Sequence, residues 1–196
     1  DVNDLANFTS NMTFYSSENG RLHIPVIRGM GMIDTRGFDN NVGIFVDGAF
    51  ISGRSAQNVG MLDLERVEVV KGPQSALYGR NSFAGAINYV TKKPGDKFKG
   101  SVSTTFGLED LRQIAASVAG PIIPGKLSGR LVVDFDHDGG TYINKTKFGM
   151  HELGGHDNES IMGTLRYTPD ESTDIVFSLF HNEEYVAQMP LSIDPN

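Results

Sequence analysis

From residue 100 onward the chain alternates apolar and polar positions with a period of two. Residues 100–108 place Val102, Thr104, Phe106 and Leu108 on one face against Ser101, Ser103, Thr105 and Gly107. Residues 112–119 set Ile114, Ala116 and Val118 opposite Gln113, Ala115 and Ser117, and residues 127–137 set Leu127, Leu131, Val133 and Phe135 opposite Ser128, Arg130, Asp134 and Asp136. The pattern returns at residues 161–168, with Ile161, Leu165 and Tyr167 on one face, and at residues 174–184, where Val176 and Phe180 blur the row of Ile175, Phe177 and Leu179. A period of two predicts half-buried strands, here five in succession. The first connection, residues 109–111, is short. Residues 120–125 (GPIIPG) and 169–172 (PDES) predict short turns, whereas a polar stretch of about 20 residues at 138–159 exceeds ordinary loop lengths.

The first half lacks this regularity. Val2, Leu5, Ala6 and Phe8 predict one face of a short helix, and the polar residues 11–20 predict a loop. A β-rich run at 24–28 precedes a Gly-rich loop at 29–41, then a buried-type strand at 43–47, a turn at Asp47 and Gly48, and a polar loop at 51–58. Residues 65–94, ERVEVVKGPQSALYGRNSFAGAINYVTKKP, are expected to hold a strand at 66–70, a helical turn at 73–78 and a strand at 86–91. Pro73 suits a first helical position, and Gly79 can adopt the left-handed conformation that ends a helix. Four short strands and one helical turn predict a small α+β domain that buries little apolar area by itself.

The order VEVVKGPQSALYG followed by NSFAGAINYVTKKP resembles the end of the plug domain in TonB-dependent outer-membrane receptors. Upstream, Ile27, Arg28 and Gly29 fall where that family has its IRG signature, and Val46, Asp47 and Gly48 where it has vDG. The resemblance implies a fold class: an α+β plug domain over residues 1–94, followed at residues 95–196 by antiparallel transmembrane β-barrel strands, a fragment of a plugged barrel of about 22 strands. Plugs of this kind enter the barrel from the periplasmic side, which puts both Pro-containing turns on the periplasmic side and the long polar loop outside. Short periplasmic turns, longer outer loops and apolar-out strands characterise outer-membrane barrels. Five tilted strands cannot close a cylinder, and an open edge is not tolerated in lipid. The chain opens at Asp1 without a leader and ends without an aromatic terminal strand, so a fragment at both ends is expected.

Composition narrows the remaining chemistry. A net charge of −7, with 17 basic residues spread along 196 positions, argues against a nucleic-acid surface. There is no cysteine, and no apolar run of the roughly 18 residues that a transmembrane helix needs. GPIIPGKL at 120–127 imitates a phosphate loop but has Leu127 in place of the metal-binding hydroxyl and two prolines in place of N–H donors. HELGGH at 151–156 spaces its imidazoles one residue too far for a zinc-protease helix, and its glycines disfavour that helix. Gly29 and Gly31 lack the third glycine of a dinucleotide fingerprint, and no nucleophile elbow accompanies the histidines. Sequons at Asn7, Asn11, Asn144 and Asn158 have no meaning in a bacterial outer membrane. No enzymatic chemistry, cofactor or metal site is expected.

The resemblance instead implies binding residues. Apical plug loops fall at about 15–21, 30–41 and 52–58. Arg36 and Arg54 suit an anionic ligand, Tyr15 and Phe38 suit packing against it, and Asp34, Asn40 and Gln57 suit orienting it. In the family, basic residues of the IRG and R/KGP motifs meet barrel acids and seat the plug; the matching positions are Arg28 and Lys71. Lys71 departs from the frequent Arg and cannot make the same planar contact. The implied function is energy-coupled import of a scarce nutrient, by default a ferric siderophore, with an inner-membrane TonB protein pulling on the plug's N-terminal segment and outer-membrane lipid around the barrel. A passive or signalling plugged barrel, and a soluble α+β binding protein, remain open at this point.

Overall fold

A computed structural model describes residues 2–17, 22–31, 41–52, 63–74, 78–79, 81–108, 110–140, 142–143 and 152–187. The chain divides into two compact units, Asp1–Lys92 and Lys93–Asn196.

The first unit begins with helix α1 (Val2–Phe8) and continues through β1 (Met12–Ser17), β2 (Leu22–Ile27), β3 (Val42–Val46), β4 (Ala49–Phe50), β5 (Leu64–Lys71) and β6 (Gly85–Thr91). Strands β1 and β2 form their own antiparallel ribbon, in register from Met12 opposite Ile27 to Ser17 opposite Leu22. The loop expected at residues 11–20 is thus a strand over its first part. Its Thr, Phe and Tyr carry β propensity, and the hydrogen bonds of an aligned partner outweigh the polarity that suggested a loop. The other four strands form a mixed sheet of order β4-β3-β6-β5, with β3 parallel to β6 and the other pairs antiparallel. Strand β6 is central and nearly all buried, which explains its unbroken apolar and small-residue run. Ile27, Val42, Ile44, Phe45, Ala86, Ile87 and Tyr89 form the core of the unit. Helix α1 packs less than its pattern predicts: Leu5 and Ala6 are half-buried, but Phe8 is 90% exposed because seven residues make too short a face to cover it.

The second unit contains β7 (Lys99–Phe106), β8 (Arg112–Ile123), β9 (Leu127–Asp138), β10 (Tyr142–Ile143), β11 (Glu152–Leu153), β12 (His156–Tyr167) and β13 (Ile175–Val186). Five of these make one antiparallel meander of order β13-β12-β9-β8-β7, and β10 pairs β11 as a small ribbon inside the long connection. Two boundaries differ most from the expected ones. Strand β8 runs through Pro121 to Ile123, so the turn is confined to residues 124–126. The proline is tolerated because pairing with β7 ends at Ala119 and a register shift follows on the β9 side. Strand β12 starts at His156, and the long connection is shorter and partly paired.

This sheet inverts the burial of a water-soluble one. Val102, Phe106, Ile114, Val118, Leu131, Phe135, Ile161, Leu165, Phe177 and Leu179 are exposed on one face, while Ser128, Asp134, Ser160 and Thr164 are buried on the other. The pairing aligns Val118 with Leu131, Leu131 with Gly163 and Gly163 with Leu179, so the apolar residues form a continuous band. A band of this size requires a hydrocarbon solvent or a partner, and polar-in, apolar-out strands belong to an outer-membrane barrel. At the short-turn end the strands are tied together: Thr168 N–H donates to the Lys126 carbonyl (2.8 Å), Gly125 N–H to Asp96 Oδ1 (3.2 Å), and Arg166 pairs Asp174 through Nε (2.8 Å) and a terminal nitrogen (3.1 Å). Hydrogen bonds from Ser172 and Thr173 hold the Asp170 carboxyl below its ordinary range and close the turn that carries Asp174.

Charge placed on the apolar band should be costly. Leu131→Arg in the full-length protein is expected to lower folding stability in bilayers by about 2–4 kcal/mol. Ser128→Arg, on the opposite face, should be milder. Equal costs in a denaturant titration of refolding would contradict the assignment of faces.

Candidate functional site

The signature residues of the first unit sit in two turns of one kind. Arg28 and Gly29 have φ of 53° and 77°, and Asp47 and Gly48 have φ of 49° and 82°. Positive φ at both central residues is what a type I′ turn between antiparallel segments requires. The first turn is closed by Ile27 N–H to the Met30 carbonyl (3.1 Å) and Met30 N–H to the Ile27 carbonyl (3.0 Å). The second joins β3 to β4, with Val46 opposite Ala49. Asp-Gly is a favoured pair for such a turn, but Arg at its first central position costs roughly 1–2 kcal/mol relative to an unstrained residue. The Arg28 side chain is exposed.

Asp47 does more than turn the chain. Its carboxylate accepts Thr91 N–H at Oδ1 (2.8 Å) and the Thr91 hydroxyl at Oδ2 (2.6 Å), while its own N–H donates to the Tyr89 carbonyl (2.9 Å). The β3–β4 turn is thereby clamped to the last residue of β6, one residue before the first unit ends. Beside it, Gly48 N–H donates to Asn88 Oδ1 (3.0 Å), Asn88 Nδ2 donates to Glu68 (3.0 Å), and Arg66 Nε donates to the other Glu68 oxygen (2.8 Å). The Asn88 hydrogen bond, then that of Arg66, hold the Glu68 carboxyl below its ordinary value.

The IRG and KGP signatures meet. Gly72 has φ of 99°, and a Cβ built on it would lie 3.5 Å from a terminal nitrogen of Arg28. Lys71, the last residue of β5, donates from Nζ to the Ser10 carbonyl (3.0 Å) and to Ser10 Oγ (3.1 Å). Arg28 N–H donates to the Asn11 carbonyl (2.9 Å), so both signatures grip the turn that separates α1 from β1. The small residues after Tyr78 also have a cause: a Cβ at Gly85 would collide with the Val70 carbonyl oxygen and come within 2.9 Å of Ile27 Cδ1. Only glycine lets β6 approach β5 so closely.

Of the residues expected to meet a ligand, Tyr15 lies on β1 opposite Ile24 and is 60% exposed, on a strand and not in the loop expected for it. Asp34, Arg36, Phe38, Asn40, Arg54 and Gln57 lie outside the described residues. Arg28 and Lys71 are brought together near Ser10. Sequence reasoning passed over Asp47 as a clamp and Ser10 as an acceptor. The Asp-Gly pair marked the turn, but a side-chain bond spanning 44 residues leaves no local pattern.

The geometry generates two expectations. Asp47→Ala in the full-length protein should lose both Thr91 bonds and destabilise the first unit by about 1–3 kcal/mol, read as faster amide exchange at Thr91; unchanged exchange would remove the clamp. Burial pushes the Tyr89 phenol up to about 12 from 10. Its folded pKa lies above its unfolded one, so this stabilisation is whole below pH 10 and is lost as pH rises through 12, about 3 kcal/mol in all. Tyr89→Phe should flatten that alkaline loss in a plug-stability titration.

Comparison with known proteins gives consistent results. Residues 1–86 match the sequence model of the TonB-dependent Receptor Plug Domain. The pesticin receptor of Yersinia pestis is 30% identical over 154 residues, covering 78% of this chain and 22% of that protein. The ferric enterobactin receptor PirA of Pseudomonas aeruginosa is 28% identical over 151 residues, covering 62% of this chain and 19% of the relative. Among solved structures, the ferric yersiniabactin uptake receptor FyuA of Yersinia pestis superposes with a TM-score of 0.81 at 25% identity, over 93% of this chain and 28% of that one. The chain thus spans about a fifth of the length of these two curated relatives.

Proposed function

Because this chain belongs to the TonB-dependent receptors of the bacterial outer membrane, we propose that the whole protein is an energy-coupled importer of a scarce nutrient, with a ferric siderophore as the substrate. In this reading residues 1–94 are plug and residues 95–196 the first strands of the barrel. The observation that carries it is the company the chain keeps: relatives named for ferric enterobactin and ferric yersiniabactin, resembling both of its units. The apolar face of the β7–β13 sheet favours lipid over water and disfavours a soluble binding protein.

The ligand meets the apical plug loops. Arg36 and Arg54 supply charge-assisted hydrogen bonds to an anionic complex, Tyr15 and Phe38 pack against its organic shell, and Asp34, Asn40 and Gln57 fix its orientation. Arg28 and Lys71 help to seat the plug. TonB, working from the inner membrane, pulls on the segment before β1 and rearranges the plug. A tightly held ligand is then released only when mechanical work is done.

The test is uptake of iron-labelled siderophores by cells that express the full-length receptor, with and without TonB and the proton gradient. Import that needs both is expected. Replacing Arg36 and Arg54 together by Ala should weaken binding about 10- to 100-fold if both charge-assisted bonds are made. Uptake that persists after the gradient collapses indicates a passive barrel, and a transcriptional response without import indicates a signalling one.

A further inference from the structure

We infer that Lys71 is a mechanical latch, holding the N-terminal segment of the plug at Ser10 and setting the force at which that segment peels away. This deepens the energy-coupled reading given above and rests on it for its biological use. The contact itself joins residues 61 apart: Nζ of Lys71 reaches both the Ser10 carbonyl (3.0 Å) and Ser10 Oγ (3.1 Å).

The position of this contact gives it leverage. Strands β1 and β2 are antiparallel, and their open end is the pair Met12 and Ile27. The chain enters at Met12 and leaves at Ile27 through the Arg28–Gly29 turn, so a pull on the N-terminus separates that end first. The ladder bonds of such a ribbon break one after another, each loaded alone. Ser10 lies two residues outside Met12, and Lys71 closes the sheet strand β5, where it pairs Gly85 of the buried β6. A pull must break the Lys71 contacts, with the Arg28 N–H to Asn11 carbonyl bond beside them, before the ribbon begins to open.

The chemistry suits a reversible latch. An ammonium group donating to a carbonyl and a hydroxyl makes charge-assisted bonds stronger than neutral ones. Its four-carbon stem lets the head find its partners again when the load falls. A buried ion pair in the same place would be harder to reopen. The backbone carbonyl is kept whatever residue stands at position 10, so the latch depends on Lys71 more than on the hydroxyl of Ser10.

The test uses the full-length receptor in lipid, with the barrel fixed and a handle on the N-terminus, together with amide exchange of residues 11–14 at zero load. Lys71→Met is expected to lower the first rupture force and to speed that exchange about tenfold or more, through the loss of both bonds to Ser10. Ser10→Ala should give a smaller shift in the same direction, and Lys71→Arg should restore most of the force. If Lys71→Met does not assemble, Ser10→Ala and Lys71→Arg carry the comparison. Wild-type force and exchange in Lys71→Met, or in Ser10→Ala where that variant alone assembles, would overturn the latch. None of these measurements needs a siderophore or TonB, so a receptor that proves passive would defeat the import reading and leave the latch result standing.

Discussion

The first unit depends on how closely β6 approaches its two neighbours. With β3 parallel on one side and β5 antiparallel on the other, β6 has no edge, and six of its seven residues are buried. Gly85 permits the approach to β5, since any side chain there would meet the Val70 carbonyl and Ile27. The same packing sets Lys71 opposite Gly85 and carries Thr91 to the Asp47 carboxylate. The two signature turns therefore take their positions from β6: one is clamped to its end, and the other lies against Gly72, whose N–H donates to the Ala84 carbonyl (2.8 Å).

Much of this architecture was legible in the residues, for reasons that differ by element. The five long strands announced themselves because one face is apolar and exposed and the other is largely polar, which writes a period of two. The first half of β12 did not: His156, Asp157, Asn158, Glu159 and Ser160 are polar on both faces, so there is no alternation to read. Strand β1 was hidden by its polar neighbours, because the ribbon it forms is stabilised by pairing with β2 more than by burial of its own face. The turn at residues 124–126 lies later than GPIIPG suggests, because Pro121 looks like a strand breaker and only the missing second neighbour makes it harmless.

The site was legible as motifs and not as contacts. Arg28, Asp47 and Lys71 could be marked from their surroundings in the chain. What they touch could not be read, because the partners are a backbone carbonyl at Ser10 that accepts from Lys71, a threonine at the far end of another strand that donates to Asp47, and a glycine in a turn beside Arg28. Backbone acceptors carry no residue signature. The cost of left-handed φ at Arg28 does carry one: Asn or Gly would suit that turn better, so a charged residue there points to work done by the side chain.

Strand direction finally separates what yields from what holds. Tension that enters before β1 meets the β1–β2 ribbon at its open end, where bonds are loaded one at a time. Tension reaching the main sheet enters β3 at Val42 and is resisted where β6 ends, at Thr91. Because β3 and β6 are parallel, from Val42 opposite Gly85 to Val46 opposite Tyr89, the two points lie at opposite ends of the pair. Such a pair is sheared, and its ladder bonds resist together. The Asp47 bonds to Thr91 reinforce the same junction at the end where β6 leaves the sheet. One chain thus holds a ribbon that opens in sequence, restrained at its mouth by Lys71, and a sheet that must fail at once. Under the energy-coupled reading proposed above, a pull too weak to shear the β3–β6 pair would move the N-terminal ribbon alone.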